Sequence, residues 1–280
     1  MKGSHEMLLL LILVLVSLGT TYGFTFLFNY PSGMAGALLY LLTLILSIIV
    51  VAILLFLFFI FSFYIAKERN PKGMFKHHLM TCYSRLIYGI FMRVKLIVRG
   101  KENIPKHSNF VIYANHIEYC DPVYMKMAFH NHPVAFISKE SLFKHKLVKM
   151  VLGGIGCIPI SPGADRSALN SIVAGIKIVK NGQPLAIFPE GTRSYSHNLL
   201  PFKAGSFKLA TKAKAEIIPV CLYNMHEVLR KGRWKVARVI LTVLPAIKPE
   251  DYEHMDTSEI SDKVFVTIDE CLRSIEEKQK

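Results

Sequence analysis

One stretch of this chain constrains its folding more than any other, because no Asp, Glu, Lys or Arg occurs between Met7 and Ala66. A helix needs about 20 apolar residues to cross the hydrocarbon core of a bilayer, and residues 7–28 and 37–66 are both long enough. The segment between them, Asn29-Tyr30-Pro31-Ser32-Gly33, is typical of a turn. This pattern predicts a membrane-anchoring transmembrane helical hairpin over residues 1–66.

The charges around the hairpin indicate its orientation. A hairpin returns the chain to the side on which it began, and four basic residues follow the second span: Lys67, Arg69, Lys72 and Lys76. Basic residues concentrate on the cytoplasmic side of membrane spans, so residues 67–280 are expected on the cytoplasmic face. The alternative is a cleaved signal peptide ending near Gly23, but the apolar run is longer than a usual signal core and a second span follows it.

The rest of the chain is strongly basic. Lys2 and Glu6 cancel each other, so the whole net charge of +14 belongs to residues 67–280. A basic body behind an apolar anchor favours membrane phospholipid as partner. Nucleic acid is the rival partner, but no nucleic-acid-binding motif is present. The five cysteines include no CxxC pair, which argues against a zinc ribbon or a disulfide framework.

Residues 67–280 alternate between strand-like and helix-like segments. Short runs rich in β-branched and aromatic residues predict strands at 96–98, 110–113, 134–137, 185–188, 217–222 and 236–244. Helical patterns are found at 123–129, 142–152, 167–180 and 205–213, and a last helix begins near Thr257 or Ser258. The alternation predicts an α/β domain with a largely buried sheet.

The clearest chemical motif follows the predicted strand 110–113. Asn115-His116 is separated by four residues from Asp121, and Asp121-Pro122 is typical of a helix start, with Asp as the N-cap. His116 therefore lies in a strand-to-helix loop, which can bring the Asp121 carboxylate to the imidazole. A histidine oriented by a carboxylate can act as a general base. The alternative is a surface histidine beside an ordinary N-cap.

A second motif follows the predicted strand 185–188. It reads Pro189-Glu190-Gly191-Thr192-Arg193-Ser194. A glycine-containing turn exposes backbone N–H groups, and the guanidinium of Arg193 matches a phosphate. Glu190 could accept hydrogen bonds from substrate hydroxyls or hold Arg193. The alternative is a tight turn stabilised by a Glu–Arg pair.

Together these blocks resemble the glycerolipid acyltransferase family, in particular bacterial-type 1-acylglycerol-3-phosphate acyltransferases. The first block has the family's Asn-His-x4-Asp form, and residues 188–194 have its Phe-Pro-Glu-Gly-Thr-Arg-Ser form. Ser138-Lys139-Glu140, residues 156–160, residues 201–207 and Ile218-Pro219-Val220 are similar to its other segments, so the resemblance extends over about residues 83–245. It implies a fold of a transmembrane hairpin (1–66) followed by a cytoplasmic α/β glycerolipid-acyltransferase-like domain (67–280).

The resemblance also implies an activity. A fatty acyl group would pass from acyl-CoA or acyl-carrier protein to the acceptor lysophosphatidate, 1-acyl-sn-glycerol 3-phosphate, forming phosphatidic acid in phospholipid biosynthesis. Transfer would be direct and would need no metal and no other cofactor. His116 and Asp121 would be catalytic. The expected substrate-binding residues are Glu190, Gly191, Thr192, Arg193, Lys139 and Arg166.

One departure from the family pattern leaves the acceptor open. The second block usually has an arginine two residues past its last isoleucine, but Ser161 and Pro162 follow Ile160 here and the next arginine is Arg166. Glycerol 3-phosphate or another lysophospholipid is therefore an alternative acceptor. Two further alternatives are a non-catalytic membrane lipid-binding protein and a metal hydrolase. The hydrolase would use His77, His78, His116, His130 and His132, whose spacing matches no common ligand motif.

Overall fold

The computed structural model describes residues 4–66, 70–161 and 165–278. The chain divides into two compact units, an N-terminal unit of Met1–Ala66 and a C-terminal unit of Lys67–Lys280.

The N-terminal unit is a helical hairpin, as predicted. Helices α1 (Ser4–Phe28) and α2 (Met34–Ile65) are both long and apolar enough to cross a membrane, with mean hydropathy of 2.0 over Leu10–Phe28 and 3.5 over α2. Small polar side chains join the two helices: the hydroxyls of Thr21 and Ser47 lie 3.1 Å apart, and Ser47 also donates to the Ser17 carbonyl oxygen at 3.1 Å. Such contacts are a common way for helices to associate in lipid.

The C-terminal unit is a mixed α/β domain. Helix α3 (Met74–Ser84) continues into a π-helical segment, Arg85–Phe91. The strands are β1 (Val94–Arg99), β2 (Phe110–Ala114), β3 (Ala135–Lys139), β4 (Ile158–Ile160), β5 (Leu185–Ile187), β6 (Glu216–Tyr223) and β7 (Ala237–Val243). The other α-helices are α4 (Asp121–Ala128), α5 (Lys146–Gly154), α6 (Asp165–Lys180), α7 (Lys208–Ala213), α8 (Pro249–Tyr252) and α9 (Thr257–Glu277).

The seven strands form one sheet in the order β1-β7-β6-β2-β5-β3-β4. All neighbouring strands are parallel except β6 and β7, so β1 and β7 run opposite to the other five. We call the edge at which β2, β3, β5 and β6 end the carboxyl edge. Strands β7 and β1 begin at this same edge. The predicted α/β fold class is confirmed.

The core lies on both faces of the central strands. Every residue of β2 is buried, as expected for a strand covered on two sides. Helices α6, α7 and α9 cover one face, and α9 buries the predicted stripe of Ile260, Val264, Ile268, Leu272 and Ile275. The sequence patterns missed α3 because its buried positions include the polar residues Lys76, His77 and Thr81, which leave no apolar periodicity to recognise.

Candidate active site

The two predicted motifs meet at the carboxyl edge because their strands are neighbours. Strands β2 and β5 pair in parallel, with Val111 opposite Leu185, so the loops that follow them emerge side by side. Asn115 fixes the first loop: its amide donates to the Leu222 carbonyl oxygen at 2.9 Å and accepts from the Leu222 N–H at 2.7 Å. Asn115 itself is buried.

His116 and Asp121 form a hydrogen-bonded pair. The His116 Nδ1 atom lies 2.8 Å from Asp121 Oδ2, which also accepts the backbone N–H groups of Ile117 at 2.7 Å and Glu118 at 2.8 Å. Asp121 is fully buried, whereas the His116 side chain is 20% exposed. Because a carboxylate can only accept, Nδ1 carries the proton and Nε2 is left free to take one. The geometry is that of an oriented general base.

The predicted capping role of Asp121 is wrong in detail. Helix α4 begins at Asp121 and its N-cap is Cys120, whose side chain makes no capping hydrogen bond. The Asp121 carboxylate turns back instead to the loop before the helix, where three donors converge on one oxygen. Burial raises the pKa of Asp121, and the three hydrogen bonds oppose that shift. Three donors on one oxygen favour the ionised carboxylate.

The backbone of His116 is held from both sides by the second motif. Its N–H donates to Glu190 Oε1 at 2.6 Å, and its carbonyl oxygen accepts the Ser194 N–H at 2.8 Å. The Phe188 ring stacks on the imidazole, with centroids 4.1 Å apart and planes 19° from parallel. The second motif thus fixes the position and plane of the histidine.

Glu190 is a buried support for the loops. Besides His116, its carboxylate accepts the Leu200 N–H at 3.0 Å. Burial raises the pKa of Glu190 to about 7, although both backbone hydrogen bonds lower it. The ion-pair partner of Arg193 is Glu118, at 3.6 Å, and not Glu190 as one reading of the motif suggested.

Arg193 lies among aromatic rings of both motifs. Its guanidinium carbon is 3.2 Å from the ring centroid of Tyr119 and 4.6 Å from that of Tyr195. Both tyrosines are exposed, and Arg193 itself is 18% exposed in its side chain. These contacts limit the movement of the guanidinium, which is a planar group of N–H donors.

The other predicted binding residues lie at or after the ends of β3, β4 and β5, at the carboxyl edge. Gly191 has φ +71°, and a Cβ there would lie 2.8 Å from Lys203 Nζ, which places a lysine amine beside the turn. Gly191 and Thr192 are exposed. Lys139 is the exposed last residue of β3, and the sheet contains β3 as the neighbour of β5. Arg166 lies in the first turn of α6, and its side chain is outside the described residues.

Comparison with known proteins finds the same resemblance. The acyltransferase family model matches residues 95–223, which include both motifs and the strands that carry them. The predicted resemblance is confirmed.

Several proteins that are similar to this chain are named 1-acyl-sn-glycerol-3-phosphate acyltransferase. A Borreliella burgdorferi protein is 40% identical over 139 residues, covering 50% of this chain and 55% of that protein. A Bacillus subtilis protein is 25% identical over 200 residues, covering 70% of this chain and 96% of that protein. The crystal structure of the 1-acyl-sn-glycerophosphate acyltransferase PlsC of Thermotoga maritima has the same fold. The comparison of the two structures gives a TM-score of 0.61 at 24% sequence identity, and it covers 78% of this chain and 87% of that chain.

Cys120 and the histidines of the hydrolase alternative bear on two other chemistries. Cys120 is buried beside Asp121, and burial together with the Asp121 and Glu118 carboxylates raises its pKa, which disfavours a nucleophilic thiolate. Within residues 4–66, 70–161 and 165–278, no group of three or more His, Cys, Asp or Glu side chains is arranged to hold a metal ion. The histidines of the hydrolase alternative do not form such a group there.

Sequence reasoning missed the residues that support the histidine. In the sequence Phe188 and Ser194 are recognisable only as parts of a motif, and nothing marks Leu200. Ser194 lies in the turn after β5, the neighbour of β2, and this place indicates proximity to His116 but no specific hydrogen bond. Glu190 was found by sequence, but its contact with the backbone of His116 spans 74 residues and has no local signature.

Proposed function

We propose that this protein transfers a fatty acyl group from an acyl thioester, acyl-CoA or acyl-carrier protein, to 1-acyl-sn-glycerol 3-phosphate, forming phosphatidic acid. The single observation that carries the proposal is the His116–Asp121 pair, in which the imidazole Nδ1 lies 2.8 Å from the carboxylate oxygen Oδ2. This arrangement leaves Nε2 to act as the base. The backbone of His116 is also hydrogen-bonded to the Phe-Pro-Glu-Gly-Thr-Arg-Ser segment through Glu190. The names of the relatives from Borreliella burgdorferi and Bacillus subtilis support the acceptor. The chain spans about half of the Borreliella relative's length.

In the proposed reaction, His116 Nε2 removes the proton from the free hydroxyl of the acceptor. The hydroxyl oxygen then attacks the thioester carbonyl carbon, and Asp121 stabilises the imidazolium. Collapse of the tetrahedral intermediate breaks the carbon–sulfur bond, and the imidazolium returns its proton to the departing thiolate. One base suffices, so no covalent acyl-enzyme is required.

Arg193 is proposed to bind the phosphate of the acceptor. Its guanidinium carbon lies over the rings of Tyr119 and Tyr195, and a planar donor fork matches two phosphate oxygens. Gly191, Thr192, Lys139 and Arg166 are proposed to complete the binding site. Glu190 contributes through the backbone of His116.

The proposed location is the membrane, with the catalytic domain (67–280) on the cytoplasmic face and the hairpin (1–66) as anchor. Helices α1 and α2 have the length and hydropathy for this role. Of the four basic residues that suggested the orientation, Lys67 and Arg69 lie outside the described residues. Lys76 is buried in α3, and Lys72 donates to the Asn181 carbonyl oxygen. In this location the catalytic domain would face the membrane surface that contains both the phospholipid and the lysophosphatidate acceptor.

The test is an assay of the purified full chain with lysophosphatidate, glycerol 3-phosphate and a neutral lysolipid, each with acyl-CoA and with acyl-carrier protein. We expect phosphatidic acid from lysophosphatidate, and His116→Ala should lower kcat by about 10²–10⁴-fold because general base catalysis is lost. Arg193→Lys should raise KM for the phosphorylated acceptor more than for the thioester. Equal use of the neutral lysolipid, or a His116→Ala variant with more than about a tenth of wild-type kcat, would contradict the proposal.

A further inference from the structure

A basic and aromatic loop stands apart from the site residues. Residues 229–236, between the 3-10 turn Met225–Glu227 and β7, read Leu-Arg-Lys-Gly-Arg-Trp-Lys-Val, with four basic residues and no acidic one. Trp234 is 82% exposed and is the chain's one tryptophan. Leu229 and Val236 are also exposed. A tryptophan displayed among lysines and arginines is typical of a membrane–water interface.

A second apolar segment lies against this loop. The π-helical segment ends with Ile87, Ile90 and Phe91 exposed, Phe91 to 60%. The guanidinium of Arg233 donates to the carbonyl oxygens of Met92 and Arg93, and this fastens the loop to the chain just after Phe91. We call residues 87–91 and 229–236 together the basic–aromatic rim. Arg233 is its internal brace, whereas Lys231 and Lys235 point their exposed charges to solvent.

The rim lies at the edge of the sheet that carries the active site. Strand β7 begins at Ala237, antiparallel to β6, and β6 is parallel to β2, so the start of β7 and the end of β2 share the carboxyl edge. The Tyr88 and Tyr124 rings meet edge to face, with centroids 5.5 Å apart. Tyr124 belongs to α4, the helix that begins at Asp121. One short helix thus separates the rim from the proposed catalytic pair.

We propose that the basic–aromatic rim docks the C-terminal unit onto an anionic phospholipid surface, with Trp234 and Phe91 at the level of the headgroups. Lys231 and Lys235 face lipid phosphates. The charge is complementary, and it extends along the sheet edge through the register partners Lys95 and Arg238, both exposed. This contact is additional to the hairpin, and it turns the carboxyl edge toward the membrane that would supply the acceptor.

Nucleic acid is a weaker occupant for the same surface. It would match the charge, but exposed Ile87, Ile90, Leu229 and Val236 have no role in contacting phosphates and sugars. Aliphatic and aromatic side chains beside lysines are instead the composition of an interfacial membrane contact. A phospholipid surface would contact both the basic and the apolar side chains of the rim.

The single tryptophan makes the test direct. The full chain is reconstituted in nanodiscs of phosphatidylcholine alone or with phosphatidylglycerol, with and without lipids brominated near the headgroup end of the acyl chains. We expect Trp234 emission to shift to the blue and to be quenched at least about twofold in the brominated anionic discs, since interfacial tryptophan sits at headgroup depth. Quenching should weaken in phosphatidylcholine alone.

Matched variants separate the rim from general charge. Lys231→Glu with Lys235→Glu should remove most of the quenching, whereas Lys101→Glu with Lys106→Glu should leave it unchanged. The control lysines are exposed after β1 and before β2, at the opposite edge of the sheet. A double variant, Trp234→Phe with Val266→Trp, moves the probe to an exposed position of α9. Its emission should be that of tryptophan in water. The signal requires no substrate, so it is independent of whether the proposed transfer occurs.

Three results would overturn the docking proposal. In anionic discs, Trp234 could keep water-like emission and remain open to quenching by iodide dissolved in the water. The two pairs of lysine substitutions could also reduce the quenching by brominated lipid equally. Alternatively, added single-stranded nucleic acid or a soluble protein could shield Trp234 while brominated lipid does not. Each would assign the rim to something other than a phospholipid surface.

Discussion

Asp121→Asn separates the two things that Asp121 does for His116, orientation and charge. In the wild-type protein the backbone N–H groups of Ile117 and Glu118 point at Oδ2, the same oxygen that accepts the His116 Nδ1–H. An asparagine must therefore place its carbonyl oxygen there, because its NH₂ group would face two donors. The imidazole should keep its plane and its proton on Nδ1, and only the negative charge should be lost.

The size of the effect follows from the geometry. Two unit charges about 4 Å apart at an effective dielectric constant of about 20 attract by about 4 kcal/mol. A hydrogen bond to an ionised group is about twice as strong as a neutral one, so asparagine should retain about half of that interaction. A loss of about 2 kcal/mol in stabilising the imidazolium corresponds to about a 30-fold fall in kcat. The kcat of Asp121→Ala should fall further, since this variant also leaves the N–H groups of Ile117 and Glu118 without their acceptor.

The assay is single-turnover transfer by Asp121→Asn, Asp121→Ala and His116→Ala, with unfolding in detergent followed in parallel. Asp256 offers a matched control, because its Oδ1 also accepts two backbone N–H groups, from Ser258 and Glu259, but no histidine. Asp256→Asn should cost some stability and no activity. If Asp121→Asn is as inactive as His116→Ala, the two backbone N–H groups do not hold the asparagine oxygen in place. If Asp121→Asn is fully active, the charge of Asp121 has no part in catalysis.

Two further predictions use buried groups beside the pair. Because the folded pKa of Glu190 is raised from 4.5 to about 7, the folded chain retains a proton that the unfolded chain has released between those values, so stability should fall as pH rises through this window. Glu190→Gln should remove that part of the pH dependence, seen as a difference of a few degrees in the melting temperature measured at about pH 5 and about pH 8; parallel curves would contradict it. Cys120→Ser should keep kcat within about threefold and leave kinetics that require both substrates bound, because burial raises the pKa of the thiol. A labelled acyl-enzyme present in wild type and missing in Cys120→Ser would overturn direct transfer.

Much of the fold was predictable because its signals are local. Six of the strands are runs of β-branched and aromatic residues, and α9 has a regular apolar stripe with Asp256 as its N-cap. Strand β4 has three residues, too few for any periodicity, and was noticed only as part of a motif. The reversal of β7 was not predicted, because strand direction depends on pairing between distant segments.

The candidate site was predictable in its members and less so in their contacts. His116, Asp121 and the second motif are adjacent to strand ends, and chain order alone places them at one edge. Arg193 was expected to be free for a phosphate or paired with Glu190, but it stacks on Tyr119 and pairs with Glu118. Aromatic stacking between two loops depends on their exact approach, which no spacing in the sequence records.

The hydrogen bonds of Asn115 have a consequence for how the protein is made. Its two contacts with Leu222 join residues that are 107 positions apart, so the loop bearing His116 stays without that support until β6 has been synthesised. At about 5–20 residues per second, a ribosome needs several seconds to cover that distance. The hairpin is synthesised before this point, so in the proposed membrane location it would enter the bilayer before the loop that bears His116 has its support. Newly made chains would gain the proposed activity only after β6 has been synthesised and has paired with β2.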